Sequence, residues 1–217
     1  MKPKSKRIMG LFLALVMIIG CLPLNTIETY AAGGVTINER NFPDNIFRGY
    51  VQRNFDKNKD GILDDQELAD VKSIDVGRPS ITQDPEVLSL TGIENFKNLT
   101  SLYCRNNSIS SLNISSNSKL EKLDCSENNI NSLDVSKNTS LIELNCGDNQ
   151  ITSINISKNT NLKVFKCYNC EIDKIDLSSN EFLTHLIIGA TNITSVDLGN
   201  AYASNAEYNE AMVICER

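Results

Sequence analysis

The sequence predicts an α/β solenoid, built from one short parallel strand in every 21 residues and closed at its N-terminal end by a helical cap. Three observations carry that expectation. Apolar residues recur every 21 positions from Leu99 to Leu198 without a slip. Inside each unit the central residues alternate with a period of two, which sends side chains i and i+2 to one face of a strand. Ahead of the repeats, Phe47, Val51 and Phe55 stand four residues apart, the spacing of one apolar helix stripe.

Seven columns define the repeat. Leu99, Leu120, Leu141, Leu162 and Leu183 open the units, followed by Leu102, Leu123, Leu144, Phe165 and Leu186. Then come Cys104, Cys125, Cys146, Cys167 and Ile188, and after them Asn107, Asn128, Asn149, Cys170 and Thr191. Ile109, Ile130, Ile151, Ile172 and Ile193 continue the unit. Leu112, Leu133, Ile154, Ile175 and Val196, with Ile114, Val135, Ile156, Leu177 and Leu198, close it. The pattern L-x-x-L-x-C-x-x-N-x-I-x-x-L-x-I resembles the leucine-rich repeat, whose period is roughly 20–29 residues. That resemblance implies a curved leucine-rich repeat solenoid. The Asn column suits a sharp bend, because a buried amide satisfies backbone groups that the turn leaves unpaired. A lone unit cannot bury its apolar face, so stacking is obligatory.

Residues 1–31 read as a secretory signal peptide. Lys2, Lys4, Lys6 and Arg7 precede an apolar run from Ile8 to Leu24, and Thr29-Tyr30-Ala31 places small residues at the −3 and −1 positions of a cleavage site. Two other readings stay open: an uncleaved membrane anchor, and a bacterial lipobox at Ile18-Ile19-Gly20-Cys21 with Cys21 acylated. Residues 1–31 hold four of the 21 Lys and Arg and one of the 27 Asp and Glu, leaving 17 basic residues against 26 acidic and a formal charge of −9. Such a surface repels nucleic acid and anionic membrane, so membrane attachment is expected only through the leader or a lipidated Cys21.

Seven cysteines in a secreted chain would ordinarily imply disulfides. Here Cys104, Cys125, Cys146 and Cys167 occupy one apolar repeat column that Ile188 continues, and their side chains point parallel into the core. Free buried thiols are therefore expected. Cys170 stands in the ladder Asn column, and Cys215 falls outside the repeats.

The cap is expected over residues 35–76. Asn41-Phe42-Pro43-Asp44 is a helix start with Pro43 in the first turn. Directly behind the Phe47 stripe stands DKNKDGILDDQE, residues 56–67, which fills every position of an EF-hand calcium loop. Asp56, Asn58 and Asp60 offer side-chain oxygens, Gly61 makes the sharp turn and Ile62 offers its carbonyl. Asp64 acts through water and Glu67 supplies a two-oxygen clamp. Leu63 fastens the loop to the core, and Leu68 and Val71 continue into an exiting helix. The hard oxygen donors make Ca2+ the expected cofactor. The alternative is an acidic turn between two helices, and sensor EF-hands come in pairs whereas this chain shows one loop.

Val71, Ile74 and Val76 repeat the strand spacing 28 residues ahead of the first full unit. Residues 77–98 then form an irregular cap repeat that returns through Leu88, Leu90, Ile93 and Phe96. Five units fill residues 99–198. Residues 199–217 are a C-terminal cap or an incomplete last repeat, with Val213-Ile214-Cys215 resembling a strand and Tyr202, Ala203, Ala206 and Tyr208 supplying apolar cover. Taken together, residues 35–198 resemble the internalin-like secreted and surface leucine-rich repeat proteins of Gram-positive bacteria. A calcium loop in the cap is a variant of that pattern.

The resemblance implies a secreted or cell-surface binding module whose concave face takes a protein partner, in adhesion or contact with a host or cell surface. On that face Tyr103 leads a central row, while Val164, Lys166, Tyr168, His185 and Ile187 gather in the last two units. Exposed aromatic and apolar groups there favour a protein partner; ordinary surface scatter is the alternative. An enzyme is not expected, since the one histidine has no nucleophile and orienting group in register with it. A lipid-anchored structural envelope protein without a specific partner is the other reading that remains open.

Overall fold

The protein was analysed as a computed structural model that describes residues 34–79, 85–189 and 194–197. The signal-peptide and lipobox readings, and the expected strand at 213–215, lie outside the described residues.

The N-terminal part begins with a two-residue strand β1 (Val35–Thr36) antiparallel to β2 (Ile62–Leu63). Between them runs helix α1 (Asn45–Asn54), and after β2 comes the short helix α2 (Asp65–Asp70). Pro43, expected in the first turn of α1, instead stands outside the helix. Asp44 takes the N-cap position, its Oδ1 accepting from the Ile46 and Phe47 amides at 2.9 and 2.8 Å, so helical structure starts one residue later. The other carboxylate oxygen accepts from Leu88 N (2.8 Å) and Ser89 N (3.2 Å), tying the helix start to the cap repeat. Phe47 and Val51 are buried, and Phe42, Phe47, Phe55 and Phe96 form an aromatic cluster between α1 and the first turn of the solenoid, edge-to-face at Phe42–Phe47 and Phe55–Phe96 and tilted at Phe42–Phe96.

The solenoid itself is one six-stranded parallel sheet, in the order β3 (Ser73–Asp75), β4 (Ser101–Tyr103), β5 (Lys122–Asp124), β6 (Glu143–Asn145), β7 (Val164–Lys166) and β9 (His185–Ile187). Register follows the repeat: Ile74, Leu102, Leu123, Leu144, Phe165 and Leu186 align across the sheet and are all buried. The first step spans 28 residues and the others 21, yet the strand pairing is unbroken. A second parallel pair, β8 (Lys174–Asp176) with β10 (Ser195–Asp197), forms from the closing columns of adjacent units, aligning Ile175 with Val196. The periodicity shows no sign of it, and the same columns in the earlier units make no strand ladder among the described residues.

In the cap repeat, Leu90, Ile93 and Phe96 are buried as expected, but Leu88 is 61% exposed. Val87 holds the inward position in its place. Its amide donates to Asn107 Oδ1 at 2.9 Å, and with Val87 fixed inward the next side chain must point out.

Two ladders of asparagine run the length of the stack. In the first, Asn128 donates Nδ2 to the carbonyls of Cys104, Cys125 and Ser126 at 2.9–3.1 Å and accepts from Ile109 N at 3.0 Å. Asn149 repeats these bonds one turn on, to Cys125, Cys146, Gly147 and Ile130. In the second, Asn117, Asn138, Asn159 and Asn180 are essentially inaccessible, and each donates Nδ2 to two carbonyls of the preceding unit. The Asn107 column is legible as a bend in the sequence; the Asn117 column reads only as loop composition, and its ladder role emerges from the fold.

Cys104, Cys125, Cys146 and Cys167, and Cys170 in the column of the first ladder, are free and buried. Burial pushes all five thiols up, and the neighbouring sulfurs and Asp124 add to the effect on Cys104, Cys125 and Cys146.

Candidate functional site

Strand alternation divides each three-residue strand between core and solvent. The central residue is buried and its two neighbours face out, so the sheet presents rows of outward side chains held one strand apart, about 4.8 Å. Backbone ladders on both sides fix these positions, which makes the face rigid rather than adaptable. Among the described residues, no helix is long and apolar enough to cross a membrane.

The residues expected at the partner surface separate into two places. Val164 pairs with His185 and Lys166 with Ile187 across β7 and β9, and Tyr168 lies two residues beyond Lys166. These five form one patch. Tyr103 lies on β4, three strands away, between Asp75 and Asp124. Across β5 and β6, Lys122 Nζ and Glu143 Oε1 form an exposed ion pair at 2.8 Å, which separates the two aromatic positions. His185 is exposed and its Nδ1 meets the Thr184 hydroxyl at 2.9 Å.

Tyr168 occupies a position that residue type alone does not reveal. A Cβ at Gly147, its neighbour on the preceding unit, would fall 2.6–2.7 Å from Tyr168 Cε1, Cζ and Cδ1. Three ring atoms at nearly equal distance mean that the ring lies face-down on the Gly147 Cα. On the neighbouring strand Asn145 Nδ2 donates to Ser126 Oγ at 3.2 Å. Ser126 Oγ donates in turn to Asp124 Oδ1 at 2.6 Å. These two bonds link Asn145, Ser126 and Asp124 across β6 and β5. Partial burial raises the Tyr168 phenol first, and the Asp148, Asp124 and Glu127 carboxylates push it further. The adjacency of Gly147 and Tyr168 in one repeat row is the sequence signal that could have found this arrangement.

The cap loop is the second candidate. Lys59 and Gly61 adopt left-handed backbone at φ 62° and 79°, the sharp turn for which Gly is suited. Asp56 accepts from Asp60 N (3.2 Å) and Gly61 N (3.0 Å) through its two oxygens. Asn58 Oδ1 accepts from Asp60 N at 3.0 Å, and Asp60 Oδ1 from Ile62 N at 2.8 Å. Ile62 is held in β2. Glu67 spans the loop: Oε1 accepts from Lys57 N at 2.7 Å and Oε2 from Asp64 N at 3.1 Å. Asp64 Oδ1 accepts from Glu67 N at 2.8 Å, completing a capping box that starts α2. Asp64 is thus a helix cap as well as a loop oxygen.

Six oxygen donors from one 12-residue loop fit a hard divalent cation. Asp56 and Glu67 are 4% and 6% exposed, and neither is in an ion pair among the described residues. Buried carboxylates without a countercharge favour a cation. Among the described residues, however, no three His, Cys, Asp or Glu side chains gather on a common metal point. As placed, the carboxylates close on the loop's own N–H groups.

No protein-family model matches the chain, and no curated protein sequence matches it. Solved structures do. The functional domain of InlJ from Listeria monocytogenes, described as including a cysteine ladder, aligns over 76% of this chain and 40% of its own, at 28% identity and a TM-score of 0.65. The internalin InlF from Listeria monocytogenes aligns over 77% and 49%, at 23% identity and a TM-score of 0.64. Internalin C2 from the same species aligns over 85% and 98%, at 18% identity and a TM-score of 0.53. The chain spans less than half the length of the first two. It is a β-solenoid of leucine-rich repeat type, similar in fold to Listeria internalins.

Proposed function

We propose that this chain is a secreted or cell-surface protein-binding module whose partner docks on the solvent face of the six-stranded sheet, the concave face of the solenoid, in adhesion or contact with a host or cell surface. The observation that carries the reading is the β7–β9 patch. Val164, Tyr168 and Ile187 are apolar or aromatic groups held at partial exposure on a rigid sheet, where no structural role requires them. Such groups supply binding energy with little loss of side-chain freedom. The similarity to internalins, a protein-interaction fold, supports a binding role over an enzymatic one.

Calcium belongs to the same reading, as a brace for the cap rather than a signal. Asp56, Asn58, Asp60, the Ile62 carbonyl, Asp64 and Glu67 would hold it. The ion would supply the positive charge that the two buried carboxylates lack. A steadier cap would in turn secure β3, the strand on which the rest of the sheet is stacked.

The binding reading is tested by placing a photoreactive amino acid at Lys166 or Ile187 on the strand face and, as controls, at Asn113 or Asn155 on the closing loops, which are exposed. After incubation with intact cell surfaces, protein adducts are expected from the strand-face positions only. Equal adducts from both sets, or none from the strand face, would overturn it.

A further inference from the structure

The closing side of the first coils carries a second surface, separate from the strand face and independent of the protein-binding reading. Where the cap repeat meets the first unit lies a cavity of about 370 Å³, with Leu88, Glu94, Ser110, Ser111, Asn113 and Ser116 in its lining. A second hollow of about 280 Å³ shares Ser110, Ser111 and Asn113 with it and runs on to Asn131, Ser132 and Asp134. The two make one groove across two coils. None of its lining residues belongs to a strand of the sheet.

One wall is anchored from behind. Asp44 Oδ2 accepts from the Leu88 and Ser89 amides at 2.8 and 3.2 Å, and the Val87 amide donates to buried Asn107. Leu88 is thereby held outward, 61% exposed, at the groove. On the same wall the Ser89 and Thr91 hydroxyls lie 2.9 Å apart. The fold uses only part of the polar lining. Glu94 Oε2 accepts from Gly92 N at 2.8 Å, and Asn113 Oδ1 accepts from the Ser115 amide and hydroxyl at 3.1 and 2.8 Å. Among the described residues, Glu94 Oε1, Asn113 Nδ2 and the Ser110, Ser111 and Ser116 hydroxyls make no hydrogen bond.

These groups select a ligand by its chemistry. No lysine, arginine or histidine lines the groove, so an anion would meet only the Glu94 and Asp134 carboxylates. Glu94 lines the first hollow and Asp134 the second, and the residues shared between them are uncharged, so no concentrated charge awaits a cation. An extended peptide needs an open strand edge, which the lining does not offer. A sugar meets every condition. Its hydroxyls both donate and accept, as the serines do, while Glu94 Oε1 can only accept and Asn113 Nδ2 can only donate. Its C–H face suits the exposed Leu88. The first hollow alone lies within the roughly 300–1,000 Å³ of small-molecule sites.

We propose that this groove binds a neutral oligosaccharide, with Asn113 and Glu94 orienting its hydroxyls and Leu88 covering one ring face. The second hollow makes it a site for a chain of sugars rather than a single ring.

The test uses the full chain with isotope-labelled asparagine. The probes are uncharged oligosaccharides of two to four glucose, galactose, mannose or N-acetylglucosamine units, at millimolar concentration. At least one is expected to bind saturably in calorimetry and to shift the Asn113 side-chain amide. Asn113→Asp removes the Nδ2 donor but keeps the turn, since Asp134 and Asp176 accept from Ser136 N and Ser178 N in the same way in later coils. It should weaken binding at least about fivefold, the scale of one net hydrogen bond. Leu88→Ser should weaken it through lost apolar contact. Asn155→Asp, outside the groove, should leave affinity unchanged, and Asn155 is likewise the photoprobe control that keeps the strand-face test independent of this one. Circular dichroism on each variant separates lost binding from lost fold. The proposal is overturned if no probe binds saturably, or if binding leaves the Asn113 amide unmoved. Full affinity in folded Asn113→Asp or Leu88→Ser, an equal loss in Asn155→Asp, or equal binding of triglycine or spermidine would also overturn it.

Discussion

Cys170 shows how finely a single atom is matched to the ladder. At the same position one unit earlier, Asn149 makes three donor bonds and accepts one. Among the described residues the Cys170 thiol makes one hydrogen bond, donating to Cys146 O at 3.4 Å. Cys170→Asn should therefore raise the unfolding free energy, by about 1 kcal/mol on the scale of a net intramolecular hydrogen bond, read as a higher midpoint in urea. The column thiols make a second residue-scale expectation. Their folded values are raised by burial, so above pH ~8.5, the usual thiol value, the unfolded chain loses protons that the folded chain keeps. The unfolded state then binds fewer protons, and stability falls as pH rises toward the folded values. Each thiol contributes a slope of at most about 1.4 kcal/mol per pH unit. Replacing Cys104, Cys125, Cys146 and Cys167 with Val should flatten the alkaline limb of a stability–pH curve, and in the wild type a thiol reagent should react with them only after denaturant is added.

The cap is the element in which local and distant contacts meet. The stripe of α1 was legible, because helix spacing is a local signal, and Phe47 and Val51 are buried on it. What Asp44 does was not. Its second oxygen reaches Leu88 and Ser89, more than 40 residues away, and nothing at position 44 announces a partner so far along the chain. The inward turn of Val87 rather than Leu88 has the same origin, since it depends on Asn107. Calcium is expected to act at this scale. With an affinity of about 10⁻⁴–10⁻³ M for a lone extracellular site, calcium at 100 times the dissociation constant should stabilise the fold by about 2.7 kcal/mol. Glu67→Gln should remove that shift. It should also cost some stability without calcium, because Glu67 completes the capping box of α2. A wild-type unfolding midpoint indifferent to calcium would exclude the brace.

Across the whole molecule, periodicity made the solenoid readable from sequence to within a residue or two. A column that recurs every 21 positions leaves one way to stack its members, and the strand register follows. The candidate face was readable only as rows. Which residues meet within it depends on side-chain lean, as with Tyr168 over Gly147, and on ion pairing, as with Lys122 and Glu143. Repeat arithmetic contains neither. The two asparagine ladders have a direction, and that has a consequence for how the molecule comes to exist. Each Asn Nδ2 reaches back to carbonyls of the unit before it, so every new coil finds its acceptors already laid down. A ribosome delivers the chain in that same order. The aromatic cluster between α1 and the first coil is then a foundation stone present before the masonry begins. On the side of the asparagine ladders, each later coil is set on a finished course.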